Sequence, residues 1–184
     1  MNLKFYFEKL FSSEEFKNFM KENPDAYFCS GFFVVNQNDK EKNDNKIHFD
    51  YFLPKEKNLF SFQLGGGIKI MPLEKIDEKI PEKLSEECEF EFEEIEKIIE
   101  ERMKKENLND KIQKIMLSLQ KIDGKDYVIA TVFISMLGML KVNISLAIAI
   151  ALKANTYGRN KIMFFNEKIL KKVVNRFFSS KKVL

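Results

Sequence analysis

The chain is poor in the residues that build metal centres and disulfide frameworks, with one histidine, two cysteines and no tryptophan among 184 residues. Cys29 and Cys88 lie far apart, and with His48 they fall short of the roughly four Cys/His ligands of a structural zinc site. Arginine is scarce as well. Of 31 basic residues only Arg102, Arg159 and Arg176 are arginines. Arginine is favoured for bidentate phosphate contacts, so its scarcity weakens a nucleic-acid reading. The wealth of Lys, Asn, Ile and Phe is explained most simply by A/T-rich codons. The stretch from Met1 to Glu8 holds no apolar run of signal-peptide length, so the expected location is the cytoplasm, with both thiols reduced.

Long apolar runs are also few. The longest, Tyr127 to Leu152, is broken by Lys141 and Asn143, and its uncharged part ends at Leu140, short of the ~20 residues a spanning helix needs. Its period argues for a strand instead. Leu140, Val142, Ile144, Leu146, Ile148, Ile150 and Leu152 occupy every second position, which is the pattern of one buried sheet face.

What is present suffices for a folded domain. At 45% hydrophobic and 32% charged, a chain of this length buries roughly two-thirds of its unfolded surface and needs no disulfide or metal. We expect one domain over 1–184. The net charge of +3 hides two opposed segments: residues 74–101 carry 13 acidic and 4 basic side chains, and residues 153–184 carry 9 basic and one acidic, Glu167. They form an acidic connector, about 71–92 and the helix after it, and a basic tail, 154–184.

Ser12-Ser-Glu-Glu15 has capping-box spacing, and Phe16, Phe19 and Met20 follow at i, i+3, i+4, which predicts a helix over 13–22 ending at Asn23-Pro24. Alternating apolar residues predict strands near 26–36, 46–53 and 58–64, closed by Gly65-Gly-Gly67. A punctuated transition over 68–91 leads to a second amphipathic helix, 93–106, with glutamates early and lysines late, as the helix dipole favours. Strands near 112–121, 127–136 and 140–152 complete the pattern, with Asp123-Gly124 as one turn and Gly138 as another. The order helix then three strands thus occurs twice, in halves of about 1–70 and 90–153. The fold class is α+β, an antiparallel sheet from two α-β-β-β units with an added C-terminal amphipathic helix. In general shape each unit resembles cystatin-like or PepSY-like units, but Ile144-Ser-Leu-Ala-Ile-Ala stands where a PepSY-type unit has an Asp and a Thr-Gly-Glu turn, and no family is assigned.

Residues able to carry chemistry are scattered. His48 and Asp50 share a strand face, yet the sequence singles out no nucleophile for them. Cys29 has no cationic neighbour and reads as a small buried apolar residue. Ser118-Leu-Gln-Lys121 matches a bare Ser-x-x-Lys, but on a strand its two ends face opposite ways. Gly65-Gly-Gly67 opens no helix and is not a phosphate loop. The glutamates from Glu86 to Glu96 lack the Asp/Asn and Gly pattern of a calcium loop. No catalytic, cofactor or metal site is expected.

One feature stands apart. After Asn166, Ile169, Leu170, Val173, Val174, Phe177 and Phe178 mark one helical face, and Lys168, Lys171, Lys172 and Arg176 fill the other. Such a basic amphipathic helix either covers its own sheet, docks on a protein partner, or lies on an anionic membrane surface. Lys168, Lys171, Lys172, Arg176, Phe177 and Phe178 are the candidate docking residues. The leading expectation is a non-catalytic interaction or ligand-binding domain for a protein or small ligand, with a peripheral membrane protein as the alternative. An enzyme with dispersed acidic residues ranks third, nucleic-acid binding ranks lower, and the opposed charged segments allow a homodimer.

Overall fold

Alternation along the strands is the organising pattern, and it produces a single antiparallel sheet flanked by helices. The computed structural model describes residues 2–37, 45–74, 80–86, 90–135 and 138–146. Among them, α1 (Leu3–Ser12) and α2 (Glu14–Glu22) precede β1 (Tyr27–Asn36), β2 (Lys46–Leu53), β3 (Asn58–Leu64) and β4 (Ile68–Leu73). Then come α3 (Phe92–Lys105), β5 (Ile112–Ile122), β6 (Lys125–Ile134) and β7 (Gly138–Ser145). The strand order is β4-β3-β2-β1-β5-β6-β7, with every neighbouring pair antiparallel. Two meanders are therefore joined through their first strands.

Local chemistry sets the helix ends. Asn2 caps α1 by accepting from Lys4 N at 2.8 Å, and Leu3, Phe7 and Leu10 form its buried side. Ser13, rather than Ser12, caps α2 by accepting from Phe16 N at 3.2 Å. Glu94 reaches back to Glu91 N at the start of α3, whose last turn carries Arg102, Lys104 and Lys105, in keeping with the helix dipole. Asp123 and Gly124 both take positive φ, 50° and 73°, which is what a two-residue hairpin between β5 and β6 requires.

All three helices contribute to one core with one set of strand residues, among them Phe28, Phe33, Phe49, Tyr51, Phe62, Leu117 and Val132. Phenylalanine dominates it. Phe7 stacks on Phe49 at 4.5 Å, Phe28 meets Phe7 edge-on at 5.2 Å, and Phe33 meets Phe92 at 5.2 Å. The segment 80–86 straps the end of this core: Leu84 N donates to Phe28 O at 2.9 Å, and the Tyr51 hydroxyl donates to Glu86 Oε1 at 2.9 Å.

Several expectations are corrected. The first helix, α1, precedes the one expected over 13–22. Residues 68–73 form a fourth strand rather than a transition or connector. Pro72 is accommodated because β4 is an edge strand, where a missing donor is tolerated. Gly138 is not a turn residue; it opens β7 opposite Ile134, and a Cβ there would lie 2.6 Å from Ile134 Cγ1. The last strand ends at Ser145, and residues 147–152 lie outside the described ones, as does the expected C-terminal helix. The run from Tyr127 to Ser145 is two strands, and among the described residues no helix is long and apolar enough to cross a membrane.

Phe49 has no exposed surface and touches rings from α1 and β1. Phe49→Ala is expected to lower stability by about 3–5 kcal/mol, and Phe133→Ala, half-buried on the opposite face, by clearly less. Urea unfolding followed by circular dichroism measures both.

Candidate functional site

Side chains alternate along each strand, so the face away from the helices is read directly from the register. One row across it runs Ser61, Asp50, Ser30, Gln120, Tyr127, Ser145. Another runs Lys46, Val34, Met116, Thr131, Lys141. Cys29, Val34 and Phe52 are buried but stand outside the helix-side core. A register slip between Phe28 and Ser30 makes Cys29 an extra residue in β1, which puts Phe28 on the helix side and Ser30 on the other.

The polar centre of this second face is Asp50. Ser30 Oγ donates to Asp50 Oδ2, and Cys29 Sγ donates to the Asp50 carbonyl at 3.3 Å. Ser61, across the β2–β3 ladder, is buried beside the same carboxylate. Burial raises the Asp50 pKa, against the opposing pull of the two serine hydroxyls and His48. His48 is shifted down, chiefly by burial and also by Lys46, while Asp50 opposes the shift; its ring lies 5.9 Å from that of Phe32. His48 and Asp50 do share a face, as their spacing predicts. The order of contacts is not that of a catalytic triad, in which imidazole stands between hydroxyl and carboxylate. Here the serine meets the carboxylate directly. Burial, with Asp50 adding to it, pushes the Cys29 thiol up to about 12, so it stays protonated at neutral pH and is a poor nucleophile.

A concavity of about 420 Å³ lies where the later half of α3 meets the start of β5. Glu96, Glu100, Asp110, Lys104 and Lys111 line it over a floor of Met103, Leu108 and Ile112. Gln37 Nε2 donates to Glu96 Oε1, and burial followed by the charges of Glu93 and Glu100 raises the Glu96 pKa against that bond. Ser135 Oγ donates to Asp110 Oδ1 at 3.0 Å. The charges are mixed in sign and two of the carboxylates, Glu96 and Asp110, already accept hydrogen bonds, so the cavity selects no single ligand class.

The remaining sequence candidates take structural places. Ser118 accepts from Gln120 Nε2 on the second face, and Lys121 reaches Lys83 O and Asp126 on the other. Gly65 and Gly67 close the β3–β4 turn, with Lys9 Nζ on Gly65 O at 3.2 Å. Among the described residues, no three His, Cys, Asp or Glu side chains gather as metal ligands. Lys168, Lys171, Lys172, Arg176, Phe177 and Phe178 lie outside the described residues.

What sequence reasoning missed is the charge of the second face. Lys46, Lys69, Lys114, Lys125 and Lys141 all project there, and Asp50 is the one carboxylate among the described strand residues that does. Lys114 and Lys141 stand two positions from Met116 and Met139 in the chain, but only the pairing register brings the five lysines to one surface.

The raised pKa of Asp50 has a consequence for folding. The native state holds the proton where the unfolded chain has released it, so stability falls as pH rises from the ordinary carboxylate value to the raised one, and levels off above. Asp50→Asn is expected to remove that fall and to be at least as stable as the parent at neutral pH, as urea denaturation across a pH series would record. No protein-family model, curated protein or solved structure matches the chain, so its function is read from its own side chains.

Proposed function

We propose that the chain is a non-catalytic interaction domain that holds a partner on the second face of its sheet. The observation that carries this reading is that β1 and β6 carry large apolar residues on both sides. In β6, Val128, Ala130 and Val132 enter the helix-side core, while Tyr127, Ile129 and Phe133 face the other way. In β1, Phe28 and Phe33 enter the core, and Phe32 and Val34 face away. A sheet with one solvated face alternates apolar and polar residues, whereas strands covered on both sides read as continuous apolar runs. The described helices serve one side only. Met139 is 68% exposed at the margin of the second face, where an added surface would cover it.

A photo-reactive phenylalanine analogue replacing Met139 is expected to give a discrete adduct in the cells that make the protein. The same analogue replacing Lys97, exposed on the helix layer, gives none. Adducts from position 97 alone, or from neither position, would count against the second face.

The alternative, peripheral attachment to a membrane, is favoured by the sequence pattern of residues 166–178, with Lys168, Lys171, Lys172 and Arg176 opposite Phe177 and Phe178. It calls for binding to anionic vesicles that salt weakens. Co-sedimentation should then be lost in Lys171→Glu/Lys172→Glu, and absence of binding by the parent chain at low salt removes this alternative.

A further inference from the structure

Resting on the second face as a docking surface, we infer that its partner is an acidic amphipathic polypeptide segment, laid as a helix along the strands between Lys46 and Lys141. Those two lysines end one cross-strand row, with Val34, Met116 and Thr131 between them. At strand spacings of about 4.8 Å the row spans roughly 19 Å between its end Cα atoms. A helix with side chains is about 10–12 Å across, so it fits between them with carboxylates on both flanks in reach of a lysine. Beneath its apolar side lie the half-buried Met116 and Ile129, next to the buried Val34, with Met139 at the margin.

Charge selects the sign of the partner. Lys46, Lys69, Lys125 and Lys141 are exposed, and the face has no exposed carboxylate among the described strand residues, because Asp50 is held by Ser30. The apolar part selects the class. Base stacking needs accessible rings, and here Phe32, Tyr127 and Phe133 are half-buried, Phe32 against His48, while the large apolar residue most open to contact is the thioether Met139. Methionine adapts to the side chains of varied polypeptides. A phosphate chain crossing the middle of the face would also meet Asp50. A flat bilayer suits a twisted seven-stranded sheet poorly. Addition of a strand at the β4 edge is disfavoured by Pro72, which removes one donor.

The test is fluorescence polarisation with the full chain and a labelled peptide of about 20 residues, long enough for several turns, with leucines on one helical face and glutamates on its flanks. Binding should weaken as salt rises, fall at least about tenfold in Lys46→Glu/Lys141→Glu, and persist in Lys97→Glu/Lys105→Glu. A peptide with lysines in place of the glutamates should not bind. Circular dichroism of each variant confirms that it is folded. If the acidic peptide fails while an oligothymidylate or phosphatidylserine vesicles bind in a manner lost in Lys46→Glu/Lys141→Glu, the polypeptide partner is overturned and the docking face stands. If the peptide binds parent and Lys46→Glu/Lys141→Glu equally, the docking face falls as well.

Discussion

Pairing of β1 with β5, from Ser30 opposite Gln120 to Asn36 opposite Lys114, makes one molecule of two meanders. Each meander alone pairs strands that follow one another in the chain. Their junction is not: paired residues are 90 (120 − 30) to 78 (114 − 36) positions apart in the chain, so the loop-closure entropy is met at this ladder. Everything described on either face depends on it. On the helix side it sets Phe33 against Leu117 and Gly31 against Leu119, and on the other it brings Ser30 to Gln120 and Val34 to Met116. A shift by one residue would exchange the two faces.

The two faces are stabilised by different chemistry. On the helix side, aromatic rings from α1, α2, α3 and three strands, β1, β2 and β3, interlock, and four of the helices' phenylalanines, Phe7, Phe16, Phe19 and Phe92, lie within about 5.3 Å of a sheet ring. Such burial of large rings is the main favourable term for a chain without disulfides among its described residues. On the other face the apolar residues are interrupted by hydroxyls, amides and one carboxylate. Burying Asp50 raises its pKa and so costs stability at neutral pH. Ser30, which donates to it, reduces that cost and fixes its position.

Much of this architecture was legible because period two and period 3.6 are strong signals. Strands β1, β2, β3, β5 and β6, the helices α2 and α3, and the Asp123-Gly124 hairpin all followed from spacing. The misses have particular causes. In α1, Leu3, Phe7 and Leu10 have helical spacing, but Phe5, 59% exposed, and Tyr6 blur the apolar stripe. In β4, Ile70, Met71 and Leu73 are exposed beside Pro72, so the strand lacks the clean alternation of a buried neighbour. The pairing of Gln37 with Glu96 and of Tyr51 with Glu86 joins residues 59 and 35 positions apart, and no local pattern encodes such contacts. The second face was missed for the same reason. Its lysines come from five strands, and a list of charges along the chain places them beside their sequence neighbours rather than beside one another.

The division of labour on that face bears on what kind of binding it can give. Exposed lysines at the rim act mainly on encounter and orientation, because water screens them and each pair is worth little. The apolar strip between them gives up water on contact, and its contribution scales with the area covered. Neither demands one sequence. The feature that imposes geometry is the row of Ser61, Asp50 and Ser30, where a largely buried carboxylate accepts from Ser30 and a partner's carboxylate would meet like charge. A partner lying across this row must therefore present apolar or weakly polar groups to it and keep its own carboxylates at the sides, over Lys46 and Lys141. The buried acid stands on β2 four residues from Lys46, so on that flank it disfavours a partner carboxylate over itself and favours one over the lysine, which bears on where the helix sits along the strands.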